Sequence, residues 1–195
     1  MIASKQSFAN NTLLELREVT LPQSPKITTA PTLQKKIVTP EEKISALYFS
    51  QPYISFGFLV PGEPLIRSDI IKTQTTYEKG ATVFITQNQA LTSQDKNTII
   101  PDTTCDTGSC SPSLASVWES PLTFGFGVRC ENTSCMSDFE QDQTYRPISA
   151  SGAYPIFTTH NQTTETTMYY KLNIASNQNP TPYSNTVTYI LIPNL

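Results

Sequence analysis

Few residues in this chain carry chemistry, and their spacing narrows what they can do. Four cysteines fall in two pairs, Cys105/Cys110 in CDTGSC and Cys130/Cys135 in CENTSC. Four thiolates could hold zinc, but zinc ligands usually sit closer together. The polar, threonine-rich surroundings favour disulfides formed in an oxidising compartment. Four cysteines permit three pairings. Cys105–Cys110 and Cys130–Cys135 are favoured, because short loops that contain turn residues close easily. A dithiol redox centre has two residues between its cysteines and opens a helix, and neither feature is present.

His160 is the single histidine, which excludes sites that need two, such as an HExxH zinc helix. It lies in the polar turn THNQTT and reads as a solvated loop residue, not as the base of a Ser-His-Asp triad. There is no G-x-S-x-G elbow and no glycine-rich phosphate loop. Carboxylates gather twice, as Asp138, Glu140 and Asp142, and as Asp95, Asp102 and Asp106 around the first cysteine loop. Oxygen-rich loops of this kind can hold calcium, the one cofactor that remains a candidate, although neither follows the EF-hand pattern. Nothing selects two of these residues as a glycosidase pair. Trp118, Tyr145, Tyr154 and Tyr169 are candidates for a ligand platform that stacks on a sugar or lines a protein interface. The competing reading is that Trp118 packs under its own loop. The Asn-x-Ser/Thr sequons at Asn10, Asn132 and Asn161 are what an Asn- and Thr-rich chain produces by chance. Taken together, these residues support no enzyme class.

The elements that must position them follow from composition. The 195 residues suffice for one large β-domain with an extension. Fifteen prolines leave little room for long helices, and abundant threonine favours strands. The formal net charge of −3 carries no basic footprint for nucleic acid. No stretch is apolar for long enough to span a membrane. Residues 1–20 also lack the apolar centre of a signal peptide, as expected of a mature exported chain and equally of a cytosolic one. Export is therefore an expectation that rests on the cysteines.

Two regions are expected. Residues 1–40 comprise a strand-like segment at Thr12–Val19 (TLLELREV) and a connection rich in proline and threonine, with an edge strand near Gln34–Val38. In TLLELREV, Leu14 and Leu16 alternate with Glu15 and Arg17, although a short helix competes. Residues 41–195 form the second region, with strands predicted at Tyr53–Val60, Asp69–Thr76, Ala81–Gln87, Leu122–Arg129, Thr167–Ile174 and Thr186–Ile192. Leu122, Phe124, Phe126 and Val128 share one face. The intervening Gly125 and Gly127 imply close approach of a backbone or an aromatic ring on the other. Met168, Tyr170, Leu172 and Ile174 form a core face, with Thr167, Tyr169, Lys171 and Asn173 facing out. The last strand is apolar on both faces, so it lies in a protected sheet centre or pairs with another chain. Irregular regions at 91–121 and 131–153 each hold one cysteine pair. Many short strands with Gly/Pro turns predict an all-β fold, an antiparallel β-sandwich (Ig-like or jelly-roll-like) with long disulfide-stapled loops, a closed barrel being the alternative.

The stretches ISFGFLVPGEP (54–64), TIIPDTTCDTGSC (98–110), FGFGVRCENTSC (124–135), TTMYYKLNIASNQ (166–178) and YSNTVTYILIP (183–193) resemble a group of predicted surface proteins of uncultured, small-genome bacteria. The final strands are also similar to those of secreted pilin-like and surface-layer-associated β-sandwiches. The resemblance covers residues 54–195 and implies an extracellular or cell-surface location and the fold, not an activity. The expected function is a non-enzymatic structural subunit that self-associates through edge strands or the N-terminal segment. The alternative is an adhesion module for carbohydrate or protein.

Overall fold

The computed structural model describes residues 5–6, 43–160 and 162–195. The expected strands at Thr12–Val19 and Gln34–Val38, and the boundary near residue 40, lie outside these residues. In chain order the strands are β1 (Lys5–Gln6), β2 (Ser45–Phe49), β3 (Gly57–Phe58), β4 (Leu65–Thr75), β5 (Ala81–Gln87), β6 (Leu91–Ser93), β7 (Ile99–Ile100), β8 (Ser116–Val117), β9 (Gly125–Glu131), β10 (Thr144–Tyr145), β11 (Tyr154–Thr159), β12 (Thr163–Asn173), β13 (Tyr183–Ser184) and β14 (Val187–Pro193). Among the described residues a single 3₁₀ turn, Ser137–Phe139, interrupts them. The protein is all-β, and every paired strand runs antiparallel to its neighbour.

Two sheets carry the fold. The larger has the order β2-β4-β12-β9 and the smaller β11-β5-β14. Period-two alternation decides which face each strand buries. In β5, Val83 and Ile85 are buried while Thr82, Phe84 and Thr86 are half-buried on the opposite face. In β12, Met168, Tyr170 and Leu172 turn into the core, as the sequence predicts. The two inner faces meet there. Phe126 stacks on Tyr170 at 6.4 Å between ring centroids, Phe49 of β2 lies 5.5 Å from Tyr189 of β14, and the Tyr170 and Tyr189 hydroxyls share a 2.6 Å hydrogen bond. Each large side chain buried this way contributes about 1.5–3 kcal/mol. Two separate antiparallel sheets that share one core are the arrangement of a β-sandwich.

The order β2-β4-β12-β9 matches the A-B-E-D sheet of an immunoglobulin domain, and β5 and β14 occupy the places of C and F. β11 flanks β5 on its other side. Among the described residues, no strand takes the place of G beside β14.

Three sequence expectations need correction. Within Tyr53–Val60 only Gly57–Phe58 forms a strand, with an isolated bridge from Val60 to Glu63, and Gly57 at φ +70° departs from the extended pleat. Leu122 does not join the buried row of Phe126 and Val128: it is 78% exposed, in the turn after Pro121, and the strand begins only at Gly125, φ +131°. Lys171 and Asn173 do point away from the core, yet they are buried at 3% and 1% exposure because the 101–121 region folds over them.

That covering explains the glycines of β9. A Cβ on Gly125 would stand 2.7 Å from the Thr103 backbone, and one on Gly127 would meet Thr103 Cγ2 at 2.7 Å and the Trp118 ring at 3.2 Å. Gly127→Ala should therefore lower stability by about 1–3 kcal/mol through overpacking. Urea denaturation should show the midpoint falling with an unchanged slope.

Candidate functional site

On the outer face of β9 and β12 the irregular regions build a second, smaller core from Cys105, Cys110, Trp118 and Tyr145. Trp118 and Tyr145 meet edge to face at 5.6 Å. The Lys171 ammonium lies 4.9 Å from the Trp118 ring and 5.1 Å from that of Tyr145, and donates a hydrogen bond to the Trp118 carbonyl. Burial holds its pKa below the ordinary lysine value, opposed by Asp106 and Glu119. The disulfides are Cys105–Cys110 and Cys130–Cys135, each closing its own loop. The first pins the cover over Lys171. The second begins at the buried Cys130 of β9 and holds residues 134–136 against β11.

Five of the six carboxylates in the two acidic groups are engaged within the chain. Asp138 receives Arg146 Nε at 2.6 Å and the Ala115 amide, while Arg146 lies over the Phe139 ring at 4.6 Å and donates to the Pro155 carbonyl at 2.8 Å. Asp142 pairs with Arg129 at 2.9 Å, and Glu140 is exposed. Asp102 takes two bonds from the Gln87 amide at 2.8 and 2.9 Å, and burial raises its pKa. Asp95 accepts from the Ser93 hydroxyl and from Asn97, which together lower its pKa. Asp106 caps the turn before β9, accepting from the Glu119 and Ser120 amides and the Thr123 hydroxyl at 2.8, 3.0 and 2.6 Å. Burial pushes its pKa up, but these hydrogen bonds and the charge of Lys171 outweigh it and hold the carboxyl below its ordinary range. His160 is exposed.

The four aromatics expected as a ligand platform do not form one. Trp118 and Tyr145 are buried, at 0% and 3% exposure, because they pack on each other and on Lys171. Tyr169 is half-buried on the larger sheet, where its hydroxyl donates to Glu131. Tyr154 is half-buried on β11, in the other sheet. The packing of Trp118 under its own loop is thus what the fold contains.

The four outer edges of the two sheets are treated unequally. β9 is covered by residues 101–103 and by Arg146: Thr103 N–H bonds Phe126 O at 2.9 Å, and Val128 and Arg146 exchange bonds of 2.9 and 2.8 Å. β11 is covered by residues 134–136, with Met136 N–H on Ile156 O at 3.1 Å and Thr158 N–H on Ser134 O at 2.9 Å. Among the described residues, β2 pairs only with β4, and β14 only with β5. These two edges flank one another.

Between them lies a half-open cleft of about 60 Å³, walled by Phe49, Ile54, Val187 and Tyr189, with Asp69 and Tyr170 on its lining. Asp69 is buried, accepting from the Ser50 hydroxyl and, at 3.1 Å, from the Gln51 amide. Tyr170 and Tyr189 have their pKa raised by burial, so their hydroxyls remain protonated hydrogen-bonding groups. Val187 and Leu191 of β14 and Leu47 and Phe49 of β2 pack on the core yet are only partly buried. Sequence reasoning flagged β14 through its two apolar faces, but missed Phe49 and Asp69. The available signal was an acid at an inward position of β4, in register with Ile71 and Thr73.

No protein-family model matches the chain, and no curated protein matches it in sequence. Among the described residues, no helix is long and apolar enough to cross a membrane.

Two predictions follow from the cover over Lys171. The Cys105→Ser/Cys110→Ser double variant should lose about 2 kcal/mol, the chain-entropy value for so short a loop. Thermal unfolding should report that loss, and the unreduced wild-type chain should show no free thiol. For Asp106, the folded pKa is depressed, so its contribution is present above the unfolded carboxylate value of about 3.9 and lost as pH falls through the folded value. The stability gap between wild type and Asp106→Asn should therefore shrink between about pH 6 and pH 2 in denaturation series.

Proposed function

We propose that the protein is a non-enzymatic structural subunit of an extracellular or cell-surface assembly, and that it self-associates by adding a strand along β14. The observation that carries this reading is the unequal treatment of the edges. Residues 101–103 and 134–136 cover β9 and β11, whereas among the described residues β14 pairs only with β5, beside an apolar cleft. Exposed edges are normally blunted by charge, proline or a covering loop. β14 presents Ile190 and Ile192 outward, at 39% and 48% exposure, with no charged residue in the strand and a proline only at its last position, Pro193. Main-chain pairing supplies affinity in strand addition, and alternate side chains supply specificity.

Export agrees with two disulfides in a polar chain and with the resemblance to bacterial surface proteins. A non-enzymatic role agrees with the solvated single histidine and with carboxylates engaged in turn capping and ion pairs. The adhesion reading has less support. It called for exposed aromatics near Trp118 or Tyr145, and both rings are interior.

Light scattering over a concentration series should show mass rising with concentration. Ile192→Lys should shift the chain to monomer while changing stability by no more than about 0.5 kcal/mol, as expected of an exposed position. A wild-type mass that stays monomeric throughout would overturn the assembly role.

A further inference from the structure

We infer that the strand added along β14 is β14 of a second copy, run antiparallel about a two-fold axis at Tyr189. The inference rests on the self-association reading and names both the partner and the register.

Hydrogen bonding to β5 fixes which backbone groups face the edge. The Asn88 amide donates to the Thr186 carbonyl at 3.0 Å, and the Asn194 amide to the Gly80 carbonyl at 2.9 Å. In an antiparallel ladder such bonded pairs recur at every second residue. Thr188, Ile190 and Ile192 therefore bond to β5, while Val187, Tyr189 and Leu191 direct their N–H and C=O groups away from it. Pro193 ends that row with a carbonyl and no N–H. Among the described residues, the N-terminal β1 pairs with β3, and β14 with β5 alone.

This row is complementary to itself in its partial charges. A second copy turned by half a turn offers a carbonyl to each N–H and an N–H to each carbonyl. β14 and its neighbours Asn185, Thr186 and Asn194 carry no charged side chain, so no like charges meet across the axis. One register uses the row fully. With Tyr189 opposite Tyr189 of the second copy, Val187 faces Leu191, every edge-facing N–H finds a carbonyl, and Pro193 lies outside the ladder. A shift centred on Ile190 sets Val187 opposite Pro193, which has no N–H to give. A shift centred on Thr188 sets Leu191 opposite Asn185, before the strand begins.

Side chains favour the same arrangement. On β5, in the sheet centre, inward Val83 and Ile85 are 0% and 4% exposed. On β14, the equivalent inward Val187 and Leu191 are only partly buried. Setting Val187 beside Leu191 of the second copy continues the apolar row across the axis. On the outer face, exposed Ile190 meets exposed Thr188 of the second copy. A two-fold pairing closes on itself, so the product is a dimer with one continuous sheet through both copies of β5 and β14.

Cysteine cross-linking of the full-length chain tests this. Thr188 and Ile190 of the second copy form a pair that is not hydrogen-bonded, with Cα atoms about 4.5 Å apart, within reach of a disulfide. Chains carrying Thr188→Cys are mixed with chains carrying Ile190→Cys under mild oxidation. Non-reducing electrophoresis should show a linked dimer at least fivefold more abundant in the mixture than with either variant alone. Light scattering of the wild type should level off at the mass of two chains. Stronger linkage of either variant alone would overturn the inferred register. If the mass keeps rising past two chains, or a dimer forms but the mixture does not cross-link, another contact joins the subunits: the inference fails while the assembly role stands. A chain monomeric at every concentration would remove the assembly role itself, and the inference with it.

Discussion

A sheet that does not close on itself has two edges, and each edge is a row of backbone donors and acceptors that water or another segment must satisfy. A sandwich has four such rows. How this chain disposes of them organises most of its irregular structure. The turn through Pro101 and Thr103 lies along β9, where Arg146 completes the row, and the segment that follows the Cys130–Cys135 loop lies along β11. Regions that look structureless in sequence are therefore edge covers, and the disulfides hold them in place. The remaining rows, β2 and β14, adjoin each other and frame the cleft.

The cover over β9 and β12 has its own chemistry. A lysine on the outer face of a strand would ordinarily be solvated. Here Lys171 is roofed by Trp118 and Tyr145, and its charge is answered by the Trp118 carbonyl, two ring faces and the nearby Asp106. Burying a cation is costly unless hydrogen bonds and countercharge compensate. Asp106 serves both needs, because it also caps the turn that delivers Trp118. Arg146 acts similarly on the far side. It ties Asp138, Phe139 and the Pro155 carbonyl into one strut, so that loops distant in sequence share a single anchor. Pro155 fits that place, since it lacks an N–H and its carbonyl is taken by the guanidinium.

The aromatic and acidic residues that would attract attention in a search for ligands are mostly employed in holding covers down. The cleft that remains is apolar on its walls, with protonated tyrosine hydroxyls and the hydrogen-bonded Asp69 on its lining.

Much of this was legible beforehand. The faces of β5, β12 and β14, the local closure of both cysteine loops and the close approaches at Gly125 and Gly127 all follow from local rules: period-two alternation, short-loop closure and the absence of a Cβ. Those rules act between residues near in sequence or fixed by one strand's pleat. They could not reveal that Lys171 and Asn173 face inward-folded loops instead of water, since alternation says only which side a residue is on and not what lies there. Nor could they reveal that Phe49 and Asp69 meet Val187 and Tyr189, or which edges stay open. Those facts arise from pairings between segments up to about a hundred residues apart, set by strand order and the packing of two sheets, and no local pattern encodes them.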